Sequence, residues 1–553
     1  MKKMKKRIIN IFASVLAVAA ITSCDAFLDI SPDKRVVVDE PEEIEDLLAS
    51  AYPDHTYLAI TEFMSDNVEN LGDNISGSTK QMEQLYYWEE FTENGNDSPK
   101  QFWDNCYKCI ATANSAIAKI NNLGGPEAGL QAQMAEALLC RAYAHFMLVN
   151  IFCQNYSSKT SGSDLGVPYM TKSETTLNPK YERGTVKEVY EHIEEDILAA
   201  LPYVSDSYYD VPKYHFTPSA AYAFASRFFL FYEKWDLAID YANKCLGDYP
   251  ADVLRDWEYR STLPNDMDVK TLDFINESKK SNLLLLTGFS EFAVSFSGFP
   301  SYYSKYSHTN YIGATETCFA KNVWGNTSVG YGGAARYYYD PAASYTGGNF
   351  SLVALFKIPY LFEYTDPVNH IGYPHIVYPA FTTDEVLLNR AEAYILTGDY
   401  ERACEDLNIW VHNILKKSTF NKDLTPDMIK SFYDATPYAK WDNFDPSTRK
   451  LQNNIKKQLH PKFEIPSDPY AEPMLQCVLQ FKRIENLAQG LRWFDIKRYG
   501  IEIWRRTLKS DSASPVGYSP ARLDDVLKVD DPRRAVQLPQ EVILAGLEGN
   551  PRP

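Results

Sequence analysis

Few residues in this sequence have types and spacings that could do chemistry. Cys106-x-x-Cys109 has the spacing of half a zinc or redox motif. No second C-x-x-C accompanies it, and the pair lies inside a helical pattern, so both cysteines are expected as small buried apolar residues. Asp266-x-Asp268 could touch a calcium ion, but its spacing and the missing glycine do not match an EF-hand loop. Asp495 stands between Arg492 and Arg498, where an arginine–carboxylate pair fixing a helix end is the expectation rather than a catalytic acid. Glu42-Glu43 and Glu194-Glu195 would suit general acid–base work only in a cleft that set their separation, and on helices they read as a solvated face. Gly330-Tyr331-Gly332-Gly333 lacks the Lys-Ser/Thr of a phosphate loop, and H-E-x-x-H and G-x-S-x-G do not occur. The expectation is a protein without catalytic residues and without a cofactor, a calcium ion being left open.

Aromatic rings offer a different chemistry. Glu291 to His370 holds 19 Phe, Tyr and Trp in 80 residues, against 14% for the whole chain, interleaved with Asn, Ser and Gly. Flat sugar faces stack on Tyr and Trp, while hydroxyls take amide and carboxylate partners, so such a region suits glycan capture. The candidates here are Tyr302, Tyr303, Tyr306, Trp324, Tyr331 and Tyr337 to Tyr339.

The N-terminus sets the compartment. Lys2, Lys3, Lys5, Lys6 and Arg7 precede an apolar run from Ile8 to Ile21, shorter than the roughly 20 residues of a spanning helix, and then Ile21-Thr22-Ser23-Cys24. This is a secretory signal whose cleavage site resembles a bacterial lipobox, so Cys24 is expected to be acylated and to hold the chain on a membrane. The formal charge is −18, and loss of the five basic residues takes it to −23. That balance argues against nucleic acid and against a polybasic grip on lipid. The eight cysteines after Cys24 show no dense disulfide spacing.

The elements that must position these residues are mostly helical. After an extended arm, Asp39 or a neighbour caps a helix with Pro41 in its first turn. Trp103, Tyr107, Ile110, Asn114 and Ile117 recur on one face of a helix from Phe102 to about Ile120. Gln131 to about Phe152 is a second helix, and Thr185 with Glu188 forms a capping box for a third. Ser219–Leu246 and Glu385–Val411 align on Ala238 and Ala403, with Phe229 matching Tyr394 and Trp235 matching Tyr400. These segments resemble tetratricopeptide repeats, in which small residues let antiparallel helices pack. The organisation is a signal at 1–23, an arm and helical region at 24–250, an aromatic insert of loops and short strands at 251–374, and a second helical region with an irregular stretch at 375–553. The fold class is mainly α, with tetratricopeptide-like pairs in a right-handed superhelix supporting the insert.

The order of motifs resembles the SusD/RagB family of outer-membrane lipoproteins. Phe27-Leu28-Asp29 and Pro32 follow the lipobox; Trp103-x3-Tyr107-x6-Asn114, AEALLCRAYAHFMLVNIF and NRAEAYILTGDYERACEDLN come next. LRWFDIKRYG, from Leu491 to Gly500, resembles the family's late signature with Tyr499 in place of a Trp, and Leu538-Pro539-Gln540 closes the chain before Asn550-Pro551. The resemblance implies four helix pairs and a protein lying as a lid over a SusC-like TonB-dependent barrel, facing the cell exterior. It would deliver glycans to that barrel or, in the RagB branch, peptides. It also implies that loops before the first repeat join the ligand face, which adds Asp66, Asn67, Asn70 and Trp88 as candidates. A repeat scaffold for other proteins and a glycoside hydrolase are the competing readings.

Overall fold

The computed structural model describes residues 41–73, 75, 77–174, 180–296, 304–325, 336–347 and 350–553. The signal, Cys24, the Phe27–Pro32 motif, Asp39, Tyr302, Tyr303, Tyr331 and the Gly330–Gly333 run lie outside the described residues. Among those described, residues 44–553 form one contact unit, and no helix is long and apolar enough to cross a membrane.

Side chains that bond to the first turn set where the helices begin. Leu58–Met64 is α1. Ser98 accepts from the Gln101 N–H ahead of α2 (Pro99–Asn122), whose first-turn proline has no N–H to leave unpaired. α3 spans Gln131–Phe152, and the Thr185–Glu188 capping box opens α4 (Val186–Ala200) as its sequence predicts. The two repeat segments become hairpins: α5 (Pro218–Phe231) with α6 (Trp235–Leu246), and α7 (Thr383–Leu396) with α8 (Tyr400–Ile414). Ala238 and Ala403, the aligned pair, are both fully buried at the crossings. α9 (Ala471–Glu485) packs against α7, and α10 (Arg492–Arg498) follows it.

Arginine–carboxylate forks lock these helices in register. Arg141 on α3 donates to both oxygens of Asp196 on α4, and Arg390 on α7 to both oxygens of Asp406 on α8. Arg227 on α5 reaches Glu385 on α7. Such two-pronged pairs fix orientation as well as distance.

The strands sit in small sheets. A four-stranded sheet has the order β11-β10-β1-β3, with β1 at Glu69–Asn70, β3 at Tyr306–Ser307, β10 at Ile503–Ser510 and β11 at Tyr518–Leu527. A three-stranded sheet has the order β2-β7-β6, from Asn282–Phe289 (β2), Leu361–Asp366 (β6) and Ile371–Thr382 (β7). β4 (Ala343–Gly347) and β5 (Phe350–Ala354) pair with each other, as do β8 (Phe444–Asp445) and β9 (Lys450–Leu451).

Two parts are more regular than the sequence suggests. The insert contains the helix Met267–Phe274 and the long β2–β7 ladder, and β7 runs past residue 374 directly into α7. The C-terminal region holds the β10–β11 hairpin, which hydropathy hides because β10 carries Arg505 and Arg506 in its interior-facing stretch. Arg505 is fully buried, and its donors end on the carbonyls of Tyr86, Ser65, Val68, Phe63 and Met64. A buried guanidinium is tolerated when its N–H groups are satisfied in this way.

Candidate functional site

The candidates upstream of the first repeat meet in a buried ionic network. Asp66 follows α1 and accepts from Arg492 on α10 through both oxygens, at 2.9 Å each. Arg483 on α9 lies 3.4 Å from the same carboxylate, and Lys457 lies 4.0 Å away. Glu316 bridges Lys457 at 2.7 Å, Arg483 at 3.0 Å and Arg506 at 3.0 Å. Burial alone would raise both carboxyls. The surrounding cations instead hold Glu316 at about 2 and Asp66 well below the usual carboxylate range. Asn67 donates to Glu62 Oε1 at 3.0 Å and accepts from Arg483 at 2.9 Å. Its carbonyl is 2.8 Å from Nδ1 of His308, an imidazole that burial lowers to about 4 and so keeps neutral. Asn70 donates to Tyr87 and Thr507 and accepts from the Gly72 N–H.

These groups are internal rivets rather than a ligand face. Trp88 corrects in the same way: it is 3% exposed, its indole N–H donates to the Met64 carbonyl, and its ring lies 4.2 Å from the Arg505 guanidinium. The rings singled out in the insert are also inside. Tyr306 is buried against Tyr86, with centroids 4.7 Å apart. Trp324 is 6% exposed and lies among Phe481, Tyr338 and Trp410. Neither offers a face to a sugar in this fold. Tyr337 is half-buried beside Arg336. Hydrophobic packing of the insert onto α8 and α9 uses the rings that composition alone suggests for binding.

The insert does expose other rings. Tyr360, Tyr364 and Tyr373 are 43%, 51% and 53% exposed, all on or beside the β6–β7 ladder. Tyr373 pairs across the ladder with Glu363, so both side chains share one sheet face. Gly372 lets the strands approach: a Cβ there would lie 2.0 Å from the Glu363 carbonyl oxygen. The Phe289 ring is 5.9 Å from Tyr373 and 5.8 Å from His55, which continues a line of rings. Carboxylates flank that line. Asp54 bonds His55 and Asn105, while Asp97 accepts from Ser290 and from the Glu291 N–H. Rings beside hydrogen-bond acceptors can stack on one sugar face and hold its hydroxyls. The pattern Leu361-Phe-Glu-Tyr, then Ile371-Gly-Tyr, carried the signal for these positions: large residues alternating with polar or small ones near a turn.

The stripe on α2 has a second aspect. The core face of this helix is Phe102, Cys106, Cys109, Ala113, Ala116 and Ile120. Trp103, Tyr107 and Asn114 stand beside it under the 168–170 segment: Tyr107 donates to the Pro168 carbonyl and Asn114 to that of Met170. With Tyr181, Val542 and Leu547 they line a cleft of about 530 Å³.

The other chemical candidates are structural. All eight cysteines after Cys24 are free thiols, and Cys106 and Cys109 are buried. Asp266 caps the helix Met267–Phe274 by accepting from Val269 N–H. Asp495 pairs with Lys482 at 2.9 Å and lies 3.7 Å from Arg498, while its other sequence neighbour, Arg492, serves Asp66. Glu194 pairs with Lys234, and Glu195 with His192. Among the described residues no cluster of three or more His, Cys, Asp or Glu could hold a metal ion.

Comparison with known proteins shows the fold and a family match over the N-terminal part of the chain. Residues 26–230 match the SusD-like family whose description is starch-binding, associating with the outer membrane. A SusD-like protein P2 of Formosa agariphila is 25% identical over 153 residues, a match that covers 27% of this chain and 27% of that protein. A SusD superfamily protein of Bacteroides thetaiotaomicron superposes with a TM-score of 0.59 at 17% identity, covering 92% of this chain and 99% of the other. A SusD-like carbohydrate-binding protein of Bacteroides vulgatus gives 0.55 at 15% identity, covering 91% and 96%. A laminarin-binding SusD-like protein gives 0.50 at 15%, covering 93% and 99%. Residues 26–230 are thus similar to the SusD-like family, and the described chain has the tetratricopeptide-like fold of the SusD superfamily structures.

Proposed function

We propose that this protein is the surface-exposed capture subunit of a nutrient importer: it binds glycan and delivers it to a SusC-like TonB-dependent barrel, over which it acts as a lid. It is a binding protein and not an enzyme. The observation that carries the reading is the match of residues 26–230 to a family described as starch-binding and outer-membrane associated. The line of rings from exposed Tyr373 to half-buried Phe289 and His55, with Asp54, Asp97 and Glu291 beside it, would supply the chemistry for a sugar ring and its hydroxyls. Acylation at Cys24 would hold the protein to the outer membrane.

The test is binding by the soluble chain, expressed without residues 1–24, to an array of glycans and peptides. Starch and laminarin are the first probes, because those words describe the family and one structural neighbour. Saturable glycan binding, together with co-purification of the lipidated protein with a barrel, is expected. Binding confined to peptides would move the protein to a RagB-type role. Absence of both ligand and barrel would sink the proposal.

A further inference from the structure

Away from the aromatic face, a pocket of about 220 Å³ lies where α3 ends and α10 meets the C-terminal segment. Gln154, His460, Lys462, Lys497, Arg498 and Arg534 are among its walls. Lys497 is buried and gives two protons to the carbonyls of Asn150 and Cys153, both at 2.6 Å. An ammonium has three protons, so one remains. Arg534 is buried too, and its donors end on the carbonyls of Lys528, Ile496 and Ile501. Among the described residues neither cation has a carboxylate within ion-pair distance, in contrast to Arg492, Lys482 and Arg506. Arg498 is paired with Glu392, yet its Nη1 has no hydrogen-bond partner.

Burying uncompensated positive charge is costly unless a counter-charge arrives. We infer that this pocket is a binding site for one small oxyanion, a phosphate, a sulfate or the carboxylate of an acidic sugar, held by Lys497 and Arg534 with Lys462 at the mouth. The volume fits such a group with several waters, each of which occupies about 30 Å³. The wall is fixed before any ligand arrives. Gly500 has φ +56, a Cβ there would meet the His460 carbonyl oxygen at 2.6 Å, and the His460 N–H donates to the Tyr499 carbonyl at 2.7 Å.

Charge around the pocket agrees with an anion that comes and goes. Burial, with Arg534 adding to it, pushes Lys497 down to about 7, and burial pushes Arg534 down to about 10. Asp164 and Asp530 are among the pocket's walls, and Asp531, Glu502 and Asp530 act on Arg534 electrostatically, Asp531 most strongly. Those acids oppose tight binding and favour release. An anion in the pocket restores the charged form of Lys497, so binding at about pH 8 takes up a proton.

Calorimetric titration of the soluble full chain with sodium phosphate, sodium sulfate and sodium glucuronate, against chloride at matched ionic strength, tests this. One saturable site is expected, with proton uptake seen as a dependence of the heat on buffer ionisation enthalpy. Binding of phosphate or sulfate alone assigns the site to a free anion, and binding of glucuronate assigns it to an acidic sugar. Lys497→Met should abolish binding. Because that variant removes an internal tie, Lys462→Ala is the second probe and should weaken binding about tenfold, while Asp530→Asn should tighten it. Equal heats in all salts, or binding unmoved by both the Lys462 and the Asp530 substitutions, would overturn the assignment.

Discussion

Both carboxylate oxygens of Asp66 accept from Arg492 at 2.9 Å, across 426 residues of chain. The loop after α1 is thereby fastened to the first turn of α10, with Arg483 and Lys457 sharing the same carboxylate. Removing one partner of a buried pair leaves the others uncompensated, which costs about 3–5 kcal/mol. Asp66→Ala should therefore lower the melting temperature markedly, as read by calorimetry. Wild-type stability with lost glycan binding would instead return Asp66 to a ligand face.

Trp324 and Tyr373 should separate core from surface. Trp324→Ala empties a buried site between Trp410 and Phe481 and should cost about 3–5 kcal/mol in chemical denaturation. Tyr373→Ala and Tyr364→Ala remove exposed rings and should change stability by no more than about 0.5 kcal/mol. On the proposed function, each should weaken glycan binding by about 1 kcal/mol. Unaltered affinity in both would move the site to another face.

The pH profile has two opposing contributions. Burial raises Asp97 to about 6, outweighing the Ser290 and Glu291 hydrogen bonds that favour its ionised form. Its folded value lies above the unfolded one of about 3.9, so the folded state binds more protons between them and stability falls as pH rises through that window. Glu316 is the reverse. Held at about 2, it contributes stability above its unfolded value of about 4.3 that is lost as pH falls towards 2. Melting temperatures measured from pH 3 to pH 7 (about half a unit apart) should show that Asp97→Asn flattens the decline between about 4 and 6 and spares the acid limb.

The thiols should be silent in the native protein. Burial raises Cys106, Cys140 and Cys477 well above the usual thiol value, and Cys109, Cys245, Cys318 and Cys404 to about 12. The thiolate is the reactive form. A thiol reagent at pH 8 should therefore label little of the native chain and all eight cysteines once it is unfolded. Rapid labelling of several native thiols would contradict the packing.

Much of the scaffold was legible because it rests on local rules. The Thr185–Glu188 capping box, the small residues at Ala238 and Ala403, and the Gly398 turn all act within a few residues of themselves. The candidate site was far less legible. Aromatic composition does not distinguish Trp324, which packs on α8 and α9, from Tyr373, which faces solvent; only the local pattern around Tyr364 and Tyr373 marks those two as strand positions. The β10 strand was hidden for a related reason: Arg505 is admitted to the interior only because distant carbonyls converge on it.

The sequence by itself determined the helix pairs and the order of family-like motifs, because these depend on residue type and short spacing, and it is the sole source of the expectation of an export signal with acylation at Cys24. Tertiary structure alone decided which polar and aromatic side chains face inward. Asp66, Asn67 and Trp88 are buried because Arg483, Arg492 and Arg505 arrive from more than 400 residues away to satisfy or cover them. Burial is a property of what the rest of the chain brings to a residue, and no local pattern around that residue records it.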